Sequence, residues 1–232
     1  MLGFFGRGSA FADTHNNAFF TDGSELVLID CSMLSFGSIT RLCEKNSFSR
    51  IYIIVTRTHG DHVSGIGMLI HYAYYALHIP VTVAVPCAEV GRDIEYMCGR
   101  LDGCSAEAYE IVHAGTLGWV KDVIPTKHSP SLDGRCFGYH LDVCGQDTVY
   151  TGDTCTLEPF LPFVTPQTAL FTEIASVYSP VHLYIGSALD TLIALSESGT
   201  KVYLMHIDDE NAVSGAISGT KIQLAPVATI AL

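Results

Sequence analysis

The residues best suited to chemistry lie in a short polar segment that follows the strand-like run RIYIIV. This segment, Thr56–His62, reads TRTHGDH and places His59, Asp61 and His62 within four positions. Imidazole and carboxylate groups are donors that Zn²⁺, Mn²⁺ and Fe²⁺ accept. The alternative is a polar turn with two solvated histidines, and the segment alone leaves both interpretations open.

Three later residues occupy comparable places and favour the metal site. His128 follows WVKDVIPT, Asp153 follows DTVYTG, and His206 follows KVYLM. Each stands at the carboxyl end of a predicted strand, where a sheet edge commonly carries functional side chains. One such residue alone is more often an ordinary loop residue. Four strand-end positions in this order predict convergence at one rim of the fold.

Alternating strand-like and helical segments must position these residues. Strands are predicted where β-branched and aromatic residues cluster, and they are Glu25–Cys31, Arg50–Thr56, Val81–Val85, Trp119–Pro125, Cys136–Val143, Thr148–Thr151, Ala169–Glu173, Lys201–His206 and Lys221–Ile230. Helices are predicted from apolar residues at helical spacing, and they are Ser35–Lys45, His62–Leu77, Cys87–Arg100 and Ile185–Ser198. This order predicts a layered α/β/β/α sandwich formed by one domain, residues 1–232.

Composition narrows the functional classes. The net charge is −12, with 12 Lys+Arg against 24 Asp+Glu, which argues against general nucleic-acid binding. Hydrophobic residues make up 48%, so a sizeable core is expected. No segment predicts a signal peptide or a membrane span, and the eight cysteines contain no C-x-x-C pair. We therefore expect a cytoplasmic protein with reduced, mostly buried thiols, located in a host cytoplasm if phage-encoded.

The ordered motifs resemble the metallo-β-lactamase superfamily, in which H-x-H-x-D-H precedes a His, a Gly-Asp and a final His. The segments GSAFADTHNNAFF…LVLIDCS, HGDH-x-x-G-x-G, ALFTEIAS and VYLMHID are similar to its ribonuclease Z branch. The resemblance covers most of residues 6–208. It implies the α/β fold of that superfamily, a four-layer αββα sandwich.

The resemblance also implies a role for each matching residue. Asp153 would bridge two metal ions, with His59 and His128 on the first ion. Asp61, His62 and His206 would hold the second ion, and Asp30 would orient the metal-binding segment. A turn-forming Asp at a strand end is an equally good interpretation of Asp30.

Arg57 departs from the family pattern, because the first motif position is His in the family. A guanidinium stays protonated and cannot ligate a metal. We therefore expect one well-held ion, Zn²⁺ with Mn²⁺ as the alternative, at Asp61, His62, Asp153 and His206, and a weakened second site. Three explanations stay open: Arg57 binds a substrate phosphate, the chain binds without catalysis, or the position is altered relative to natural relatives.

The resemblance implies a phosphodiesterase that attacks with metal-bound hydroxide. Asp61, Glu173 and His182 are then the catalytic candidates, the last two on the leaving-group side. An ordinary surface Glu and a histidine at a helix start are an equally good interpretation of Glu173 and His182. Arg57, Ser64 and Asn17 are candidates for binding the substrate phosphate, although residues such as Ser64 and Asn17 more often serve only to form turns.

Only 24 residues separate His128 from Asp153, which leaves no room for the arm of transfer-RNA processing relatives. Small diesters, cyclic nucleotides above all, fit better, as in compact phosphodiesterases of the anti-Pycsar type. The alternatives are a lactonase, thioesterase or β-lactamase type of hydrolase, and a catalytically impaired nucleotide-binding relative. As related enzymes often do, the chain is expected to form a homodimer.

Overall fold

Twelve strands form two six-stranded sheets in the computed structural model, which describes residues 1–229. The first sheet contains β1 Gly3–Gly6, β2 Asn17–Asp22, β3 Glu25–Ile29, β4 Arg50–Ile54, β5 Val81–Val85 and β6 Tyr109–His113. The second contains β7 Val120–Pro125, β8 Phe137–Val143, β9 Gln146–Tyr150, β10 Ala169–Glu173, β11 Lys201–Met205 and β12 Gln223–Leu224. Both sheets are mixed: β1, β2 and β3 pair antiparallel, as do β7, β8 and β9, whereas the remaining pairs are parallel.

Within residues 1–229, six α-helices connect or follow the strands. They are α1 Met33–Lys45, α2 Gly60–Val63, α3 Ile66–Tyr72, α4 Ala88–Glu95, α5 Ile185–Glu197 and α6 Glu210–Ala216. Two predicted helices are interrupted: α3 and α4 each continue as a π-helical turn, at Ala73–Leu77 and Tyr96–Leu101. The predicted start at His62 also divides into α2 and α3.

Three apolar layers hold the sandwich together. Phe4, Val27, Tyr139, Phe171 and other buried side chains from both sheets fill the space between the sheets. A second layer packs α1, α3 and α4 on the outer face of the first sheet. A third packs α5 and α6 on the outer face of the second sheet. This arrangement is the αββα order that the sequence predicts.

Some elements escaped sequence-based prediction. The strands β1, β2 and β6 and the helix α6 were not predicted, because each is short and three of them lie at or beside a sheet edge. The predicted strand Lys221–Ile230 is wrong for most of its length: only Gln223–Leu224 pairs with β11. Pro226 lacks a backbone donor and ends regular pairing there, and Ile230 lies outside the described residues.

The described part of the chain contains no helix long and apolar enough to cross a membrane. All eight cysteines are free, and five of them are buried, as the sequence predicts. The most important consequence of the topology is that β3, β4, β9, β10 and β11 run in parallel pairs within their sheets. Their carboxyl ends therefore bring the predicted functional residues to one rim.

Candidate metal centre

Unusual backbone conformations occur where the strands reach this rim. Asp30 has a φ of 62° and His206 a φ of 50°, both in the left-handed region that non-glycine residues rarely adopt. Gly152, directly before Asp153, has a φ of 59°, and a Cβ there would lie 2.6 Å from the Phe137 carbonyl oxygen. Only glycine fits this approach, so the turn that aims Asp153 depends on it. Such local strain is typical of functional sites.

Two groups of side chains at the rim have geometries that could hold a metal ion. Asp61, His62 and His206 form a buried group, and His128, Asp153, Glu173 and His182 form the other; within each, the ligand atoms lie within 4.8 Å of one another. The groups adjoin, because His206 Nε2 lies 3.3 Å from Asp61 Oδ2 and 3.2 Å from Asp153 Oδ2. Residues from five strand ends thus meet in one place.

Asp30 fixes the orientation of His62. One of its carboxylate oxygens accepts from His62 Nδ1 at 2.6 Å, and the other accepts from the Thr56 backbone N–H at 2.8 Å. The imidazole therefore directs Nε2 towards Asp61 and Asp153, at 2.9 and 3.7 Å. A carboxylate behind a histidine is the usual support of a metal-ligating imidazole.

We expect Asp30→Asn to weaken metal binding about 10- to 100-fold. The asparagine amide cannot accept the His62 proton as the carboxylate does, whereas its oxygen can still accept from Thr56. Asparagine also tolerates the left-handed backbone at this position, so the fold should be retained. Competition with a fluorescent zinc chelator measures the affinity; an unchanged affinity in a folded variant would contradict this role of Asp30.

Arg57 lies inside the same cluster. Its side chain is only 2% exposed, and its guanidinium forms a short ion pair with Asp153. It also lies 3.5 Å from Asp61 Oδ2, and its Nε donates to His59 Nδ1 at 3.1 Å. The guanidinium therefore neutralises the carboxylate that the family resemblance assigns to two metal ions.

The charge balance of the rim favours a bound cation. Four carboxylates, those of Asp30, Asp61, Asp153 and Glu173, are buried against the single guanidinium of Arg57. Burying unpaired carboxylates is costly. The atom Asp153 Oδ1 is buried and has no hydrogen-bond partner in the described chain. Asp61, His62, His206 and Asp153 would hold the ion, and the Arg57 guanidinium supplies a fixed positive charge beside Asp153.

The pKa values reflect this crowding. Burial and the charge of Arg57 lower the pKa of His62, but the carboxylates of Asp30 and Asp153 outweigh them and raise it to about 9. Burial raises the pKa of Asp61, but hydrogen bonds from His206 and His62 hold it well below its usual range. Burial lowers the pKa of His128 to about 4, which keeps that imidazole neutral and able to act as a ligand.

Glu173 and His182 form a pair next to Asp153. His182 Nδ1 lies 2.6 Å from Glu173 Oε2, and the second Glu173 oxygen accepts from the Thr154 backbone N–H. Burial lowers the pKa of His182, but the hydrogen bond and the charge of Glu173 outweigh this and raise it. His182 also lines a cavity beside this cluster, so its imidazole faces the space where a substrate would lie.

Some of the remaining predicted residues line the cavity, whereas others lie elsewhere. Arg57, His59 and His128 line the cavity, although His59 belongs to neither metal-binding group of the described residues. Asn17 does not line it: Asn17 is fully buried, and its amide oxygen accepts from the Ser32 backbone N–H at 2.9 Å. The Ser64 hydroxyl accepts from the Met33 backbone N–H at 3.0 Å. Because Asn17 and Ser64 support the start of α1, neither is carried forward as a phosphate-binding residue.

The cavity has a volume of about 400 Å³ and is lined by apolar residues that sequence reasoning missed. Phe11, Val177 and Tyr178 stand at its mouth, and Asp208 lies beside them. The sequence offered only one signal for them, which was their nearness to the N-terminal glycine-containing segment and to ALFTEIAS.

Comparison with known structures identifies the architecture. YhfI from Bacillus subtilis, described as a metallo-β-lactamase fold protein, matches with a TM-score of 0.72 and 16% identity over 100% of this chain and 97% of its own. This chain has the metallo-β-lactamase fold. A diphosphatase from the PhnP family matches with a TM-score of 0.67 and 17% identity over 97% of this chain and 94% of its own. Human tRNase Z, short form, matches with a TM-score of 0.62 and 16% identity over 100% and 99%.

The sequence itself matches one family model. Residues 1–90 match the model described as Anti-Pycsar protein Apyc1, a range that includes Asp30 and the metal-binding segment Thr56–His62. No curated protein matches the chain. The family resemblance predicted from the motifs is confirmed by this match, and the metallo-β-lactamase fold is confirmed over the whole chain.

Proposed function

We propose that the protein is a metal-dependent phosphodiesterase that hydrolyses small phosphodiesters, cyclic nucleotides in particular. The observation that carries this proposal is the meeting of two groups at one cavity. The group Asp61, His62 and His206 suits a divalent ion, and the pair Glu173 and His182 suits proton transfer to a leaving oxygen. The match to the anti-Pycsar family model and the likeness in fold to a PhnP-family diphosphatase support the same class.

A bound divalent ion would supply a nucleophile at neutral pH and polarise a phosphoryl oxygen. Asp61, His62, Asp153 and His206 would hold it. Zn²⁺ suits this mixture of imidazole and carboxylate ligands, and Mn²⁺ is the alternative.

Arg57 would complement the ion by binding the substrate phosphate. Its Nη1 atom is buried and has no hydrogen-bond partner among the described residues, and the side chain lines the cavity. A guanidinium donates to phosphate oxygens in a fixed fork geometry. One metal ion and one guanidinium would then share the negative charge of the phosphodiester.

His182 would donate the proton that the leaving alkoxide needs. Its Nδ1 is held by Glu173, which leaves Nε2 as the donor towards the cavity. Glu173 acts as a positioning residue, because it is completely buried and bonds to His182 and to the Thr154 backbone. Neither residue has an evident part in lactone or thioester hydrolysis.

Substrate comparison tests the proposal directly. The zinc- or manganese-loaded protein is assayed with nucleoside 3′,5′-cyclic monophosphates, nitrocefin and an acyl thioester. We expect hydrolysis of the cyclic nucleotides alone. Preferred hydrolysis of nitrocefin or the thioester would assign the chain to another class of hydrolase of this fold.

One observation favours a second candidate, a nucleotide-binding protein without turnover. The ion pair of Arg57 with Asp153 replaces a ligand position of the family motif. Under this candidate the protein binds a cyclic nucleotide but releases it unchanged, and Arg57→His restores hydrolysis. The predicted homodimer and cytoplasmic location stay predictions.

A further inference from the structure

The mouth of the cavity carries large apolar side chains that the fold leaves in solvent. Phe11 is 103% exposed, Tyr178 is 72% exposed and Val177 is 70% exposed, and all three line the cavity. Arg57 and His182 line the same cavity at the metal centre. Exposed apolar residues at the mouth of a cavity that also holds charged groups mark a surface that binds a ligand.

The segment that carries Phe11 is fixed to the end of β11. Gly8 pairs with Ile207, and the Ser9 backbone N–H donates to the Ile207 carbonyl at 2.9 Å. Arg7 forms a bidentate ion pair with Glu210, in which Nε and Nη2 donate to the two carboxylate oxygens at 2.9 and 2.6 Å. Phe11 is therefore tied to residues directly after the metal-ligand candidate His206.

The segment that carries Tyr178 is fixed to the same place. Asp208 accepts from the Ser176 backbone N–H at 2.7 Å, from its hydroxyl at 3.0 Å and from the Val177 N–H at 3.3 Å. The Tyr178 ring meets the Tyr184 ring edge-on, with the ring centroids 5.9 Å apart. This contact with Tyr184 orients the exposed Tyr178 ring.

These anchors give the cavity two chemically distinct ends. The end at the metal centre holds the guanidinium of Arg57 and the imidazoles, which suit a phosphate. The mouth presents two aromatic side chains, and aromatic rings bind the flat face of a base by stacking. A cavity of about 400 Å³ is within the usual range for a small organic ligand.

We propose that Phe11 and Tyr178 form an aromatic rim that holds the nucleobase of the substrate by its ring face. This inference rests on the proposed function and names the part of the substrate that the metal centre does not contact. The rim selects diesters that carry a flat ring over diesters of the same charge that lack one. Val177 adds exposed apolar surface to the same cavity.

The test compares a nucleotide with its phosphate alone. Calorimetry measures the dissociation constants of adenosine 5′-monophosphate and inorganic phosphate on the zinc-loaded protein. We expect Phe11→Ala and Tyr178→Ala each to weaken nucleotide binding about tenfold, since stacking on one aromatic contributes about 5- to 150-fold. Phosphate binding should stay the same, and Tyr178→Phe should retain nucleotide binding. Tyr75→Ala is the matched control, because Tyr75 is 66% exposed and lies outside this cavity.

Each outcome bears on one claim. Equal weakening of nucleotide and phosphate, or unchanged nucleotide binding in both alanine variants, would overturn the aromatic rim. Absence of nucleotide binding by the unsubstituted protein would also overturn it. Rim-dependent nucleotide binding without hydrolysis of any cyclic nucleotide would instead refute the proposed function and leave the rim standing.

Discussion

Arg57→His is expected to raise the metal content of the purified protein from about one to about two ions per chain. The unsubstituted protein has its guanidinium against Asp153 and Asp61, so a second cation would meet a fixed positive charge there. Histidine removes that charge and supplies the imidazole of the family motif. Elemental analysis after zinc loading and extensive dialysis gives the stoichiometry, and we expect hydrolysis of cyclic nucleotides to rise with it.

Stability supplies an independent measurement of the same substitution. In metal-free Arg57→His, the buried Asp153 loses its strong partner, and breaking a buried ion pair in this way costs about 3–5 kcal/mol. Zinc should restore this loss, because the dication replaces the guanidinium. Arg57→Lys is the control, since an ammonium keeps the charge and the stoichiometry of one. Equal metal content in Arg57→His and the unsubstituted protein would contradict this account.

Glu173→Gln is expected to lower kcat for cyclic nucleotides about 10²- to 10⁴-fold, the usual contribution of a positioned general acid. Glutamine can still accept from the Thr154 backbone N–H, but it cannot stabilise a protonated His182. The carboxylate raises the pKa of His182, so the acid form persists to higher pH in the unsubstituted protein. Activity should fall as pH rises through that pKa, and in Glu173→Gln the fall should occur at lower pH.

The leaving group distinguishes this role from a structural one. A p-nitrophenyl phosphodiester releases a weakly basic phenolate that needs little help from an acid. Glu173→Gln and His182→Ala should therefore lose much less activity on this ester than on a cyclic nucleotide. Equal losses on both substrates, or a pH profile that does not move, would show that Glu173 and His182 serve the fold or the metal rather than proton transfer.

The sequence by itself predicted the elements that carry long, regular patterns. Val81–Val85 and Ala169–Glu173 form strands with the predicted bounds, because each is a continuous apolar or β-branched run between turns. The metal-ligand candidates were found for a related reason: Asp153 and His206 come just after such strands, and His62 lies in the polar segment that follows another. The carboxyl ends of parallel strands lie at the same edge of a sheet. A residue that follows such a strand is therefore placed at that edge by the strand pattern alone.

Only the tertiary structure decided which side chains of the site contact one another. Sequence could say that Arg57 cannot ligate a metal, but its ion pair with Asp153 depends on bringing β4 and β9 of different sheets together. Asn17 and Ser64 looked able to reach a phosphate, yet packing assigned their side chains to the start of α1. Phe11 and Tyr178, 167 positions apart, meet one cavity because both segments are tied to residues after β11. Such contacts come from long-range packing, which local residue patterns do not encode.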